Sequence, residues 1–144
     1  MSQTLALPTR RDEAFRYADL PALAPLWPVE VEAIGVAAGE TGALAIVNTG
    51  AAPVVRELAI TLAAGAKFDL RILNAGTGYG RIAVRVTLGA GAEFTLGAAQ
   101  LAGAGQTLEV VTEVIHTAPN AISRQLRACT RAEPMRSSHT CAAR

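Results

Sequence analysis

Few side chains in this 144-residue sequence have the type and spacing to do chemistry. The run Gly76-Thr77-Gly78-Tyr79-Gly80 has the composition of a turn that cradles phosphate. Its spacing fits neither the dinucleotide fingerprint nor the P-loop, and no lysine and helix follow it, so a plain turn is expected. Cys129, His139, Cys141 and, through the fold, His116 are ligand types suited to zinc or an iron–sulfur cluster. None has the paired Cys-x-x-Cys spacing of such sites, and no metal ligand is assigned. Asp69, Glu57, Glu93, Glu109 and Glu113 are the acids from which a pair for glycoside chemistry would come. No Ser/His/Asp constellation is legible. Five arginines (Arg124, Arg127, Arg131, Arg136, Arg144) crowd the stretch after Ser123, but no aromatic interleaves them to stack on bases, so no nucleic-acid partner is expected. The reading is therefore of a chain with no catalytic, cofactor-binding or metal residues, and not an enzyme.

The elements that position these residues are built from small side chains. The chain has 30 Ala against one Trp and three Phe, and its net charge of +1 excludes the whole-molecule field of a basic nucleic-acid binder. Four of seven prolines (Pro8, Pro21, Pro25, Pro28) come before Val29, whereas all thirteen glycines lie between Gly35 and Gly105. Three parts follow: an N-terminal helical segment over 1–32, a repetitive body over 33–127, and an irregular, basic, disordered tail over 128–144. In the first part, Thr9 and Asp12 have capping-box spacing, which predicts a helix from Arg10 with Ala14, Phe15 and Ala18 on one face. Pro21 should stop it near Asp19.

From Ile34 onward apolar residues alternate, the period of strands, and the alternation recurs at a constant interval, from Leu58 to Val84 to Val110. Val36–Gly50 over Leu62–Gly76 gives seven identities in fifteen positions, with Asn48 over Asn74. Thr61–Leu70 over Thr87–Leu96 gives seven in ten. A unit this short cannot bury its own apolar face and must stack on its neighbours. Each unit holds two strand-like runs around a Gly-Ala turn and no helical periodicity, so the expected fold is all-β, a parallel β-helix of 26-residue coils after the helical segment. The predicted inward stacks are Leu58, Val84 and Val110; Ile60, Val86 and Thr112; Phe68 and Phe94; and Leu44, Leu70, Leu96 and Ile122. Lys67 should pair with Glu93 outside. Glu57 and Glu109 would share a column with Ala83 between them, roughly 9 to 10 Å apart, and with no third polar partner they read as a solvated face.

The opening MSQTLALPTRRDEAF has no apolar run after a basic start, and no window approaches the roughly 18 apolar residues of a spanning helix. A cytoplasmic chain without a membrane partner is expected, in which Cys129 and Cys141 stay reduced and do not staple the fold.

Two stretches, LPTRRDEAFRYADL (Leu7–Leu20) and VIHTAPNAISRQLRA (Val114–Ala128), bracket the alanine- and glycine-rich repeat. With it they resemble the SufD branch of the SufB/SufD family over about residues 5–128. The resemblance implies a right-handed β-helix and a non-catalytic scaffold subunit of iron–sulfur cluster assembly, without a cofactor of its own. Implied partners are a SufB-like subunit and a SufC-like ATPase in a cytosolic complex. The family's later His-Gly-Ala-Thr stretch and helical C-terminal domain have no counterpart here, and after Ala128 the text reads as a truncated or frame-shifted end. Such a chain should expose unpaired strand edges and an apolar cross-section, inviting self-association through the uncapped coil. The alternatives are a self-assembling, bactofilin-like solenoid and a carbohydrate-active β-helix enzyme.

Overall fold

The computed structural model describes residues 6–9, 11–12, 15, 18–103 and 106–131. A helical turn α1 (Leu20–Leu23), continued by a 3-10 turn (Ala24–Leu26), precedes eight strands: β1 (Val31–Val36), β2 (Thr41–Asn48), β3 (Val54–Leu62), β4 (Lys67–Asn74), β5 (Gly80–Leu88), β6 (Glu93–Ala102), β7 (Leu108–His116) and β8 (Ile122–Arg131). The odd strands form one parallel sheet in the order β1-β3-β5-β7 (sheet A), and the even strands a second, β2-β4-β6-β8 (sheet B). Each coil gives one strand to each sheet, and the four coils make the parallel β-solenoid that the repeat predicts.

Period-two alternation builds it. In β4, Phe68, Leu70 and Ile72 turn inward and are buried, while Lys67, Asp69 and Arg71 face out. Phe68 pairs in register with Phe94, Leu44 with Leu70, Leu70 with Leu96, and Lys67 with Glu93, whose charged groups are 3.6 Å apart. Burying each of these aliphatic columns between the sheets contributes about 1.5–3 kcal/mol per side chain, enough to fix the register. At the corner after sheet A, Gly39, Gly65 and Gly91 occupy the same place in successive coils with φ of 73°, 70° and 65°. A left-handed conformation strains most side chains, which is why glycine recurs there. In the fourth coil Asn120 takes that place at φ 64°.

The 26-residue register ends with the third coil. Gly80 pairs with Leu108, an offset of 28 (108 − 80), and Glu93 pairs with Ile122, an offset of 29 (122 − 93). Two extra residues lie between Gln100 and Leu108, and one more between His116 and Ile122. The first insertion is even, so β7 keeps its faces but slides: Val110 sits on Ile82, Thr112 on Val84 and Val114 on Val86. This corrects the predicted stacks ending in Val110 and Thr112. The total offset of β8 differs from 26 by an odd number, and a one-residue slip exchanges the two faces of a strand. Ile122 therefore leaves the leucine column, where Gln125 meets Leu96 instead, and Leu126 is turned out to solvent at 75% exposure.

Three boundaries also move. Sheet A begins at Val31 rather than residue 33, and β8 carries regular structure through Ala128 to Arg131, so the predicted tail starts too early. Residues 132–144 lie outside the described residues. Asp19, where the helix from Arg10 was expected to end ahead of Pro21, is not helical, and a new helical turn starts directly after it. Asp19 instead caps the start of α1, its carboxylate accepting from the Ala22 N–H at 3.1 Å. Pro21 occupies the first turn, where a missing N–H costs nothing. Upstream, Thr9 and Asp12 make one half of the predicted capping box, Thr9 N–H donating to Asp12 Oδ2 at 2.7 Å, while Thr9 Oγ1 accepts from the Arg11 N–H at 3.3 Å and the Asp12 N–H donates to the Thr9 carbonyl at 3.0 Å. Three successive i to i+3 bonds then lead through Asp12 and Phe15 to Ala18. Residues 10, 13–14 and 16–17 of the expected helix, Ala14 among them, lie outside the described residues.

Candidate functional site

The strongest concentration of buried polar chemistry is on the outer side of sheet A, where the N-terminal segment crosses β5 and β7. Arg81 and Glu109 occupy neighbouring rungs. Their parity directs them outward, yet their side chains are only 1% and 3% exposed, because Phe15 and the stretch from Ala18 to Trp27 roof them. Arg81 Nη1 donates to Glu109 Oε2 at 3.2 Å, and the Tyr79 hydroxyl donates to the same oxygen at 2.9 Å. The Phe15 ring lies over the guanidinium, 4.2 Å from centroid to Cζ, and the edge of Trp27 meets Phe15 at 5.8 Å. A charge pair so far from water is stable only when its hydrogen bonds are completed by neighbours. Burial, and then the Glu109 charge, push the Tyr79 hydroxyl well above the usual tyrosine range, so it stays a donor. Ala18 and Leu23 complete the roof as fully buried apolar contacts. The arrangement turns donors and acceptors on one another and fastens the N-terminal strap to the third and fourth coils.

A polar column runs beside it through the corner between the sheets. Asn48 donates to Asn74 Oδ1 at 2.9 Å, and Asn74 donates to the Gly80 and Glu109 carbonyls, each at 3.3 Å. Gln100 continues the column in the next coil. The Gly76–Gly80 run is the adjoining turn, and its glycines answer to packing. A Cβ on Gly80 would lie 2.5 Å from Asn74 Oδ1 and 2.9 Å from Leu108, and one on Gly78 would lie 2.6 Å from the Ala51 carbonyl. Gln106 ties this turn to the next coil, donating to the Gly76 carbonyl and to that of Gly78 at 3.0 Å. The run is thus the plain stacked turn that its spacing predicted.

The fourth coil carries the second group of polar side chains. Because β8 has exchanged faces, Ser123, Gln125, Arg127 and Cys129 take the inward positions. Thr112 Oγ1 donates to Gln125 Oε1 at 2.8 Å. Arg127 donates to Gln125 Oε1 at 3.1 Å, to the Val110 carbonyl at 3.1 Å, and to Thr112 Oγ1. Partial burial lowers the Arg127 pKa. The cross-section at this end is consequently a hydrogen-bonded polar layer, where an apolar one was expected. The strand edges of β7 and β8 remain unpaired among the described residues.

The acids read from the sequence do not converge. Glu57 sits beside Ala83 and then Val111, not in a column with Glu109, whose rung neighbour is Arg81; the slide of β7 separates them. Asp69 pairs with Arg71 at 2.9 Å and Glu93 with Lys67 on the outside of sheet B, while Glu113 pairs with Arg85 at 2.8 Å on sheet A. Among the described residues no three of His, Cys, Asp and Glu come together. His116 Nε2 is 3.4 Å from Ser123 Oγ across the β7–β8 corner. Cys129 lies 3.5 Å from Gln100 Nε2 and is disulfide-bonded, against the expectation of a reduced thiol. His139, Cys141, Arg136 and Arg144 lie outside the described residues. Arg124 and Arg127 lie in β8, as does Arg131 at its last position. Among the described residues no helix is long and apolar enough to cross a membrane.

Arg81 and Tyr79 were missed by sequence reasoning. Their signal was Arg81 at an outward strand position together with Phe15 and Trp27 in a segment with no apolar partner of its own. No known protein family, curated protein or solved structure matches the chain.

Proposed function

We propose that the chain is a non-catalytic scaffold subunit of a cytosolic iron–sulfur cluster assembly complex, similar to SufD, which pairs with a SufB-like subunit and a SufC-like ATPase. The observation that supports this reading is the placement of the two family-like stretches on a 26-residue β-solenoid. Leu7–Leu20 supplies Phe15, Ala18 and Asp19 to the strap over Arg81, and Val114–Ala128 runs from β7 through most of β8. The residues that carry the resemblance thus lie at the strap and at the last rung, the two parts that the repeat itself does not dictate. Cluster chemistry in this reading belongs to the assembled complex, to which this chain contributes a surface.

Co-expression with a tagged SufB-like subunit and a SufC-like ATPase tests the proposal. A stoichiometric complex on size exclusion is the expected result. If both partners associate with each other and leave this chain behind, the scaffold reading fails.

A further inference from the structure

The two ends of the solenoid differ in chemistry, and the difference selects a partner. At the fourth-coil end, β8 brings Arg124 and Arg127 to the edge, and the rung beneath is filled by Thr112, Gln125 and Arg127. At the first-coil end, β2 reads Thr-Gly-Ala-Leu-Ala-Ile-Val-Asn, without a charge or a proline, and it is the outermost strand of sheet B among the described residues. Natural edges are blunted by lysine, proline or bulges, and this one has none of them. Ile34, Val36 and Leu44, all inward-facing, are only partly buried there because, among the described residues, no further rung covers them. Within β1, Glu32 is neutralised by Arg56 of β3 through two bonds of 2.9 and 2.7 Å, and the carboxylates of Glu30 and Glu40 stand just before β1 and β2, outside both strands.

The hydrogen-bond pattern shows which groups are offered. Lys67 N–H donates to the Glu40 carbonyl and Ala75 N–H to that of Asn48. In a parallel ladder the residues at 42, 44, 46 and 48 then turn both backbone groups to β4, and Thr41, Ala43, Ala45 and Val47 turn theirs to the open edge. Those four side chains are exposed, and all are small or apolar.

We propose that two copies of this chain associate head to head through the first coil, β2 running antiparallel to its counterpart across a two-fold axis normal to sheet B. This partner satisfies the edge on both sides at once, and it brings Ile34, Val36 and Leu44 of one copy over those of the other. The remaining pairings do not. Tail to tail, the arginines of β8 face their own copies. Head to tail, the apolar columns of the first coil would cover the polar layer of Thr112, Gln125 and Arg127, whose groups lose hydration and find no hydrogen-bond partner in Ile34, Val36 or Leu44. The association is isologous and closes at two copies, so filaments are not formed. It goes beyond the scaffold proposal and stands without it.

Light scattering on the full chain across a dilution series tests this. The wild type should show twice the monomer mass of 14.9 kDa. Ala45→Pro removes an N–H that points away from β4, and Ala45→Lys adds a charge on the exposed face while keeping the N–H; both should halve the mass with an unchanged circular dichroism spectrum. Leu126→Lys, at the opposite end, should leave the dimer intact. A monomeric wild type, larger assemblies, or a dimer that survives both Ala45 substitutions but not Leu126→Lys would each overturn the proposal. Should Ala45→Pro fail to fold, Ala45→Lys decides.

Discussion

Arg81 and Glu109, distant in sequence, lie on adjacent rungs with 3.2 Å between Nη1 and Oε2, and a strap of chain from before the solenoid seals both from water. Glu109→Ala leaves a guanidinium in that interior without its carboxylate, and should destabilise the protein by about 3–5 kcal/mol. The double change Arg81→Met with Glu109→Leu should cost much less than the sum of the single ones. Urea denaturation of the four proteins reads both effects, and additive losses would show that the two groups are not coupled.

The roof itself is tested by Phe15→Leu, which keeps apolar bulk and removes the ring face above Arg81. A loss of about 0.5–2 kcal/mol is expected, with faster amide exchange in α1 and an unaltered rate in β4. Uniform acceleration across all strands would contradict a local fastening.

Tyr79 sets a pH dependence. Its hydroxyl is held protonated well above the normal tyrosine value, first by burial and then by Glu109. The unfolded chain loses this proton near pH 10 and the folded one does not. Stability is therefore full below about pH 10 and falls as pH rises beyond it, because the folded state binds more protons. Tyr79→Phe should flatten that alkaline fall while lowering stability at pH 7, through loss of its bond to Glu109. An unchanged slope above pH 10 would refute the assignment.

The column of stacked rings makes a separate prediction. Phe94 is fully buried on Phe68, and Phe94→Ala should cost about 3–5 kcal/mol. Gly80→Ala should be harmful for a different reason, since its new Cβ would stand 2.5 Å from Asn74 Oδ1. Asn74→Ala alone removes the donor to the Gly80 and Glu109 carbonyls and should cost about 1–3 kcal/mol. Combining Asn74→Ala with Gly80→Ala should cost less than the separate losses summed, because the first relieves the clash. Thermal melts of the three variants check it.

The solenoid was legible because its cause is periodic: Leu44, Leu70 and Leu96 announce one column by recurring at a constant interval. What escaped were events that break the period. The two residues inserted between Gln100 and Leu108 leave alternation untouched, so nothing in β7 betrays that Val110 has moved from the Val84 rung position to that of Ile82. The odd insertion before β8 was hidden as well, because Ile122, Leu126 and Ala128 are the apolar members of its alternation and so read as inward, whereas the register turns Leu126 out and Ser123, Gln125 and Arg127 in. Pro21 fits a helix stop and a helix start equally well, and only the Asp19 cap decides. The buried Arg81–Glu109 pair was illegible for the same reason as the slide, because the repeat alone sets Glu109 beside Ala83.

The strap reaches forward to residues that lie much later in the chain. Phe15 leaves the ribosome long before Glu109, and its seat over Arg81 exists only once two later rungs have wound into place. The strap thus waits for rungs made after it, and its docking reports that winding has gone as far as β7.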